Sequence, residues 1–221
     1  MAEPTPENWA TADRWLSDVL IGPDPALDEA IADQESAGMP AIEVAPVAGK
    51  LLHLLARMSG ARRVLEIGTL GGYSTIWLAR ALPPDGEVVT IEAEPDHADV
   101  ARSNLARAGV ADRVDVRVGV ALDILPTLDG PFDLVFIDAD KESNTRYLDW
   151  AARLGRPGAV VVLDNIGRDG EIVHADADDT KVRGTREALE MLGSDPRFEA
   201  TALQTVGLKG WDGIAIALVL G

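Results

Sequence analysis

Residues 64–74 read Val-Leu-Glu-Ile-Gly-Thr-Leu-Gly-Gly-Tyr-Ser, and the rest of the chain is organised around this stretch. The apolar run before Gly68 predicts a buried strand, and the helical spacing of apolar residues after Ser74 predicts a helix. The glycines allow a tight turn between them and the close approach of a ligand to the main chain. Their spacing, Glu-x-Gly-x-x-Gly-Gly, is not the Gly-x-Gly-x-x-Gly of dinucleotide-binding turns, which disfavours a pyrophosphate ligand. Taken alone, the stretch is also compatible with an ordinary strand-to-helix turn.

Strands and helices alternate on the C-terminal side of this turn, and the chain ends in two strands. This order predicts an α/β fold, with a seven-stranded, mostly parallel sheet, a C-terminal antiparallel hairpin and helices on both faces. The predicted strands are residues 63–67, 87–91, 113–118, 132–137, 159–163, 198–206 and 213–220. The predicted helices between them are residues 73–81, 95–108, 121–125, 143–153 and 181–192, and residues 166–180 are predicted to form a loop.

Three further helices are predicted before the first strand, at about residues 7–21, 26–37 and 46–58. Because they precede the sheet, we expect a helical cap or an oligomer contact at residues 1–60, outside the main sheet. The core would then cover residues 61–221, and the whole chain, residues 1–221, would form a single domain.

The composition disfavours several classes of partner and site. The chain has 221 residues and no cysteine, which excludes disulfides, zinc-thiolate sites and a cysteine nucleophile. A net charge of -17 argues against a nucleic-acid partner. No stretch approaches the roughly 20 apolar residues of a membrane span, and the polar, acidic residues 1–8 lack the order of a signal peptide. We therefore predict a cytoplasmic protein without a membrane partner.

Glu92 ends the second predicted strand, 24 positions after Gly68. Ligands of such sheets bind beyond the carboxyl ends of the strands, and an acid at this position can accept both hydroxyls of a ribose. The glycine turn and Glu92 together therefore predict a nucleoside-bearing ligand. The alternative is a solvated acid at a strand end.

Asp138, Asp164 and Asn165 follow the fourth and fifth predicted strands. Neighbouring strands lie about 4.8 Å apart, so these side chains converge if the two strands pair. Two carboxylates and an amide supply three hard oxygen ligands, which suit magnesium, manganese or calcium. Alternatively, one acid caps the next helix and the other is a loop residue.

Lys141 lies three residues after Asp138 and can reach the same volume. A bound cation would disfavour the ammonium form of this lysine, which would allow it to act as a base. The alternative is a lysine that is simply paired with a neighbouring acid, such as Asp138, Asp140 or Glu142.

Six blocks of the sequence resemble the cation-dependent class I O-methyltransferases, the family of caffeoyl-CoA and catechol O-methyltransferases and their bacterial relatives. The blocks are residues 64–74, 90–92, 119–123, 136–141, 163–165 and 203–213, and the likeness runs from about Val44 to the end of the chain. Asp140 stands where the mammalian catechol enzymes have tryptophan, which favours the caffeoyl-CoA and bacterial branch. The resemblance implies a Rossmann-like class I methyltransferase fold. It leaves the acceptor open, because residues 1–40 match weakly and residues 166–180 are distinctive.

The resemblance also implies S-adenosylmethionine as the methyl donor, and a role for each matching residue. Glu92 would hold its ribose, Ala121 would lie by its adenine, and Asp138 and Asp140 would lie near its amine. The full set implied to bind the cofactor is Val44, Glu66, Gly68, Thr69, Ser74, Glu92, Ala121, Asp138 and Asp140. The implied metal ligands are Asp138, Asp164 and Asn165, with magnesium foremost, and the implied catalytic base is Lys141.

We therefore predict a cation-assisted O-methyltransferase that uses S-adenosylmethionine and methylates a hydroxyl of a small, catechol-like aromatic acceptor. A homodimer is a further expectation. One alternative is a nicotinamide-dependent reductase, which the glycine spacing and the absence of a Tyr-x-x-x-Lys pair disfavour. A second is a non-catalytic binding protein on the same fold, which would have no need of the acids and Lys141. A third is methylation of nitrogen or carbon, with a structural metal.

Overall fold

A seven-stranded sheet forms the centre of the computed structural model, which describes residues 5–174 and 178–221. The strands are β1 (Arg63–Ile67), β2 (Glu87–Glu92), β3 (Val114–Val118), β4 (Phe132–Ile137), β5 (Gly155–Asp164), β6 (Phe198–Gly207) and β7 (Gly210–Val219). Their spatial order is β3-β2-β1-β4-β5-β7-β6; β1 to β5 pair in parallel, and β7 is antiparallel to both of its neighbours. The predicted fold class is confirmed.

The helices of the described chain lie close to their predicted positions. They are α1 (Pro6–Leu20), α2 (Pro25–Ser36), α3 (Pro46–Met58), α4 (Tyr73–Ala81), α5 (Pro95–Arg107), α6 (Ala121–Ile124), α7 (Asn144–Leu154) and α8 (Thr180–Ser194). Several begin with proline, whose missing N–H costs nothing in a first turn. The side chains of Thr5 and Asp24 cap α1 and α2 by accepting from backbone N–H groups.

The first correction concerns two segments around β5. This strand begins at Gly155 rather than at residue 159, because Gly155 pairs with Phe132 of β4 before a shift in register. The predicted loop at residues 166–180 contains a 3-10 helix at Arg168–Val173, whose first residue is hydrogen-bonded to Asp212 of β7. Residues 175–177 of that predicted loop lie outside the described residues.

The second correction concerns α2 and α3, which were expected outside the main sheet. Leu27 of α2 and Leu52 of α3 are buried in the same apolar cluster as Val64 of β1 and Phe136 of β4. These two helices therefore belong to the helical layer over one face of the sheet, beside α4 and α5. The opposite face is covered by a second cluster that includes residues of α7 and α8. Helix α1 packs against β6.

The strand order reverses between β1 and β4, and a crevice opens at the carboxyl ends of these strands. Ile67 of β1 pairs with Ile137 of β4, and Ile137 pairs with Leu163 of β5. The residues that follow these positions, Gly68, Asp138 and Asp164, consequently lie side by side at one edge of the sheet. In the described part of the chain, no helix has the length and apolar character needed to cross a membrane.

Candidate active site

A cavity of about 990 Å³ lies at this edge of the sheet. Cavities of this size accommodate drug-sized ligands, and larger ones when they stay partly open. All but one of the predicted site residues line it: Val44, Gly68, Thr69, Ser74, Glu92, Ala121, Asp138, Asp140, Lys141, Asp164 and Asn165. The exception is Glu66. The topology thus brings residues from four strand ends into one volume, together with Val44 from the loop before α3.

The glycine turn forms one wall of the cavity. Gly68 has φ +100°, and a side chain there would collide with the carbonyl oxygen of Asp138. Only glycine fits, because it combines this backbone conformation with the close approach of β4. Gly72, at φ +84°, then forms the N-terminal cap position of α4. The main chain of the turn is therefore exposed to the cavity without side-chain obstruction at Gly68.

Glu92 is fixed to the glycine turn. Its Oε2 accepts from the backbone N–H of Leu70 at 2.7 Å and of Thr69 at 3.2 Å, and its Oε1 accepts from the N–H of Glu94 at 3.0 Å. His97 Nδ1 lies 3.6 Å from Oε1. The carboxylate is consequently held at the cavity wall by the protein alone, in the position at which the sequence predicted a ribose contact.

Glu66 lies beneath the cavity wall rather than on it. It is fully buried and accepts from Ser74 Oγ at 2.6 Å, from Thr90 Oγ1 at 2.7 Å and from Thr75 Oγ1. Burial raises the pKa of Glu66 to about 7; the three hydroxyl donors act against this rise, and the charge of Asp138 adds to it. The structure therefore shows Glu66 supporting Ser74, which does line the cavity.

Asp138, Lys141 and Asp164 form a charged cluster on the opposite wall. Lys141 Nζ donates to Asp138 Oδ1 at 2.8 Å, and Lys141 is only 6% exposed. The structure thus shows Lys141 paired with a neighbouring acid, which was the alternative considered from the sequence. Burial and the neighbouring charge of Asp138 raise the pKa of Asp164 to about 7, although the Lys141 ammonium favours its ionised form. One lysine therefore leaves the two carboxylates incompletely compensated.

Asn165 completes the predicted metal set. Its backbone has φ +57°, a conformation that asparagine tolerates better than most residues, and its Nδ2 donates to Asp212 Oδ2 at 3.1 Å. Since Nδ2 faces Asp212, Oδ1 is left for a ligand. Two carboxylates with excess negative charge and one amide oxygen fit a hard divalent cation. Within residues 5–174 and 178–221, no three His, Cys, Asp or Glu side chains cluster in a way that could hold a metal, so the site depends on this amide.

Asp212 is a site residue that the sequence interpretation missed. Its Oδ1 accepts from the backbone N–H of Gly167 at 2.8 Å and of Arg168 at 3.2 Å, while Oδ2 accepts from Asn165. One carboxylate of β7 thereby fixes the segment that follows Asp164. The available signal was the block at residues 203–213, one of the six that carried the resemblance, to which no role for Asp212 was attached.

Tyr147 is a second missed residue, and it holds Asp140. The Tyr147 hydroxyl donates to Asp140 Oδ1, and both residues line the cavity. Burial, reinforced by the Asp140 charge, raises the pKa of Tyr147 above its ordinary value. Tyr147 therefore acts as a neutral hydrogen-bond donor that sets the orientation of Asp140.

The outer wall of the cavity joins the N-terminal segment to the β6–β7 hairpin. Lys209 Nζ lies 2.6 Å from Glu43 Oε1, and Glu43 Oε2 accepts from Gln34 Nε2 at 3.2 Å. On α1, Asp13 Oδ2 accepts from the N–H of Leu208 at 2.9 Å. Residues from three distant parts of the chain thus enclose the outer side of the cavity, and Gln34 packs against Gly71 of the glycine turn.

Comparison with known proteins agrees with this geometry. The sequence profile described as O-methyltransferase matches residues 25–219. The chain belongs to this family. The predicted relationship and the predicted class of enzyme are therefore confirmed. Among curated relatives of the family, "Catechol O-methyltransferase" of Mycobacterium tuberculosis is 60% identical over 208 residues, which are 94% of each chain.

Solved structures of O-methyltransferases share the whole architecture. The enzyme from Bacillus cereus, in complex with SAH, has a TM-score of 0.95 and 50% identity, and the match covers 97% of this chain and 100% of the other. TomG from Streptomyces achromogenes, involved in tomaymycin synthesis and in complex with SAM, has a TM-score of 0.95 and 51% identity, with both chains fully covered. The fold of this O-methyltransferase is thus that of enzymes whose structures hold the methyl donor or its product.

Proposed function

We propose that this O-methyltransferase transfers the methyl group of S-adenosylmethionine to one hydroxyl of a catechol-like small molecule, with the help of a divalent cation. The observation that carries the proposal is that one cavity joins two different sites. The glycine turn and Glu92 form one side, and Asp138, Lys141, Asp164 and Asn165 form the other. The first side suits a nucleoside, and the second suits a hard cation with an oxygen ligand.

The donor would lie along the glycine turn, with its ribose at Glu92. The turn exposes its main chain at Gly68, and Glu92 is already held in place by Thr69 and Leu70. Structures of relatives that are about half identical in sequence contain SAH or SAM, which supports the same donor here. Val44 and Ser74 would border its methionine part, and Ala121 its adenine.

Asp138, Asp164 and Asn165 would hold the cation. When bound, a divalent cation favours the ionised form of a hydroxyl that shares its coordination sphere. Magnesium is proposed first, since the donor set consists of oxygens only, and manganese and calcium suit the same set. The raised pKa of Asp164 supports this assignment, because it reflects burial and, in addition, the negative charge of Asp138, which Lys141 alone does not neutralise.

Lys141 would receive the proton of the acceptor hydroxyl on Nζ. The oxygen then forms a bond to the methyl carbon as the carbon–sulfur bond breaks, which turns the sulfonium into the neutral thioether of S-adenosylhomocysteine. Lys141 must be in its amine form to accept the proton, and in the structure its Nζ is engaged in an ion pair with Asp138. Lys141 can therefore act as a base only if another positively charged group also interacts with the carboxylate of Asp138. Most of the rate would arise from positioning the two reactants.

A second copy of the chain is proposed as a partner. Trp15 and Leu20 of α1 are 62% and 66% exposed, and Met58 of α3 is 80% exposed. Large apolar side chains at this exposure are typical of surfaces that another protein covers. Light scattering of the wild type and of Trp15→Lys tests the homodimer: a dimer that becomes a monomer supports it, and a wild-type monomer contradicts it.

The cytoplasmic location and the absence of a nucleic-acid partner remain predictions.

The experiment for the activity is a panel of catechols, hydroxycinnamates and flavonoids with labelled S-adenosylmethionine, run with magnesium and with EDTA. We expect methylation of vicinal diols, its loss in EDTA, and its return with excess magnesium. No transfer in EDTA to mono-hydroxylated analogues is also expected. Transfer that is indifferent to EDTA would contradict the role of the cation. Binding of NADH in preference to S-adenosylmethionine in a calorimetric titration would contradict the methyl donor.

A further inference from the structure

Two cationic side chains on the cavity wall, Arg168 and Lys181, have no hydrogen-bonding or ionic partner for their charged groups within the described residues. Arg168 is the more constrained of the two, because its Nε is buried without a partner while Lys181 is exposed. A buried N–H that lacks an acceptor carries a desolvation cost. Because the chain has a net charge of -17, two positively charged side chains without a partner among the described residues need a specific explanation when they line a cavity.

The acids on this side of the cavity are already engaged elsewhere. Glu43 is paired with Lys209, and Glu142 accepts from Thr180 Oγ1 at 2.8 Å. Asp13 accepts the N–H of Leu208, and Asp212 accepts those of the segment after Asn165. Each of these four acids thus has a hydrogen-bonding or ionic partner other than the side chain of Arg168, and the guanidinium is available to an anionic group that enters the cavity.

The backbone at Arg168 has a conformation that fixes where its side chain begins. Arg168 and Asp169 have φ +51° and +54°, in the left-handed region that side-chain-bearing residues seldom adopt. Asp212 holds this turn by accepting from the backbone N–H of Arg168, and the same carboxylate accepts from Asn165. Arg168 and Asn165, a predicted ligand of the cation, are therefore both hydrogen-bonded to Asp212. Backbone strain of the kind seen at Arg168 and Asp169 clusters at ligand sites.

We infer that the acceptor is an aromatic vicinal diol that also carries a carboxylate, and that Arg168 binds this carboxylate while the two hydroxyls face Asp164 and Asn165. The inference rests on the proposed function and narrows its substrate class. The planar guanidinium matches a carboxylate with two parallel hydrogen bonds, and Lys181 adds a second positive charge. A catechol with an ammonium group at the same ring position would be repelled.

The test compares 3,4-dihydroxybenzoate with its neutral isostere 3,4-dihydroxybenzamide, by kcat/KM with magnesium and saturating S-adenosylmethionine. We expect the wild type to prefer the acid by about tenfold or more, as a charge-assisted hydrogen bond predicts. Arg168→Gln should lower the acid-to-amide ratio by about tenfold relative to the wild type, and Arg168→Lys should keep part of the preference. Arg183→Gln is the matched control, because Arg183 is an exposed arginine that does not line the cavity, and its ratio should equal that of the wild type.

The ratio is taken within each variant, so a change in the amount of folded protein cancels. Comparing the ratios of two variants then cancels the intrinsic difference in hydroxyl acidity between the two compounds. Calorimetry with S-adenosylhomocysteine present should show weaker binding of the benzoate to Arg168→Gln. A wild type that methylates both compounds equally, or a preference that survives in Arg168→Gln, overturns the inference and leaves the proposed function standing. If the wild type methylates neither compound nor any other catechol, the proposed function itself fails and the inference fails with it.

Discussion

At the ends of β1 and β2, the carboxylates of Glu66 and Glu92 are surrounded by donors from the protein itself, whereas at the ends of β4 and β5 the charges of Asp164 and Arg168 remain incompletely matched. We refer to the first region, residues 68–74 with Glu66 and Glu92, as the donor end, after the methyl donor that is proposed to bind there. The second, Asp138, Lys141, residues 164–168 and Asp212, is the acceptor end. Hydroxyls and backbone N–H groups satisfy the donor end. The acceptor end keeps a carboxyl with a raised pKa and a guanidinium that has no partner among the described residues.

This difference suggests two distinct modes of binding. The donor end is organised before any ligand arrives, so a ligand there finds fixed groups and binding costs little reorganisation. The acceptor end contains like charges that only a cation and an anionic acceptor would balance, so its structure and its chemistry depend on what binds. Substitutions should therefore separate the two ends: cofactor affinity should respond at one, and cation-dependent turnover at the other.

The largest expected effect is that of Asp164→Ala. Removing a ligand of the cation should lower turnover by at least about a thousandfold, since a Lewis acid contributes several kcal/mol to the barrier. Affinity for S-adenosylmethionine, measured by calorimetry, should stay close to that of the wild type. Asp115→Ala on β3, where the carboxylate pairs with Arg117 at the surface, is the control. Unchanged turnover in Asp164→Ala would show that the acceptor end does not use a cation.

Glu92→Gln tests the donor end. The amide has a single acceptor oxygen where the carboxylate accepts from Thr69, Leu70 and Glu94, and it would leave fewer acceptors for ribose hydroxyls. We expect the Kd for S-adenosylmethionine to rise by about 10- to 100-fold, the range for loss of a hydrogen bond to a charged group. Glu87→Gln, at the exposed start of the same strand, provides the comparison and should leave Kd unchanged. An unaltered Kd in Glu92→Gln would remove Glu92 from the cofactor site.

Asp212→Asn should have a smaller effect, and only at the acceptor end. Its new amide N–H would face Nδ2 of Asn165, so the hydrogen bond that orients Asn165 would be lost while the oxygen that holds Gly167 and Arg168 is kept. We expect kcat/KM for a catechol to fall by about tenfold and the magnesium concentration for half-maximal activity to rise. S-adenosylmethionine affinity should not change. If it weakens as much as turnover does, Asp212 acts on the fold rather than on the position of Asn165.

The smallest expected effect concerns stability and Glu66. Its pKa in the folded chain, about 7, lies above the ordinary 4.5, so the folded state binds a proton more tightly than the unfolded chain does. The associated stability is complete below pH 4.5 and is lost as the pH rises through 7. Urea titrations should therefore show a loss of stability over this window that is reduced in Glu66→Gln, whose side chain does not titrate. An identical loss in both proteins would mean that Glu66 is ionised throughout.

Much of the fold and most of the cavity lining followed from local sequence. The strands and helices were predicted from apolar spacing, and the strand-end acids from the rule that parallel sheets bind ligands at their carboxyl ends. Glu66 showed the limit of the family resemblance, which implied that this residue of β1 would bind the cofactor. Only the packing of Ser74, Thr75 and Thr90 around it shows that it lies one layer below.

The sequence alone thus determined the alternation of strands and helices, the glycine turn and the identity of the acids at the strand ends, because each is encoded by neighbours along the chain. The tertiary structure alone decided that α2 and α3 join the core layer and that Asp212 holds Asn165 from 47 positions away. It also decided that the Arg168 side chain has no partner in the part of the chain that the structure describes. Hydrogen bonds between distant segments leave no periodic pattern in sequence, and a missing partner can be recognised only when all neighbours in space are known. The glycine turn is therefore encoded in the sequence, whereas the arrangement of charged groups at the acceptor end arises from the assembled fold.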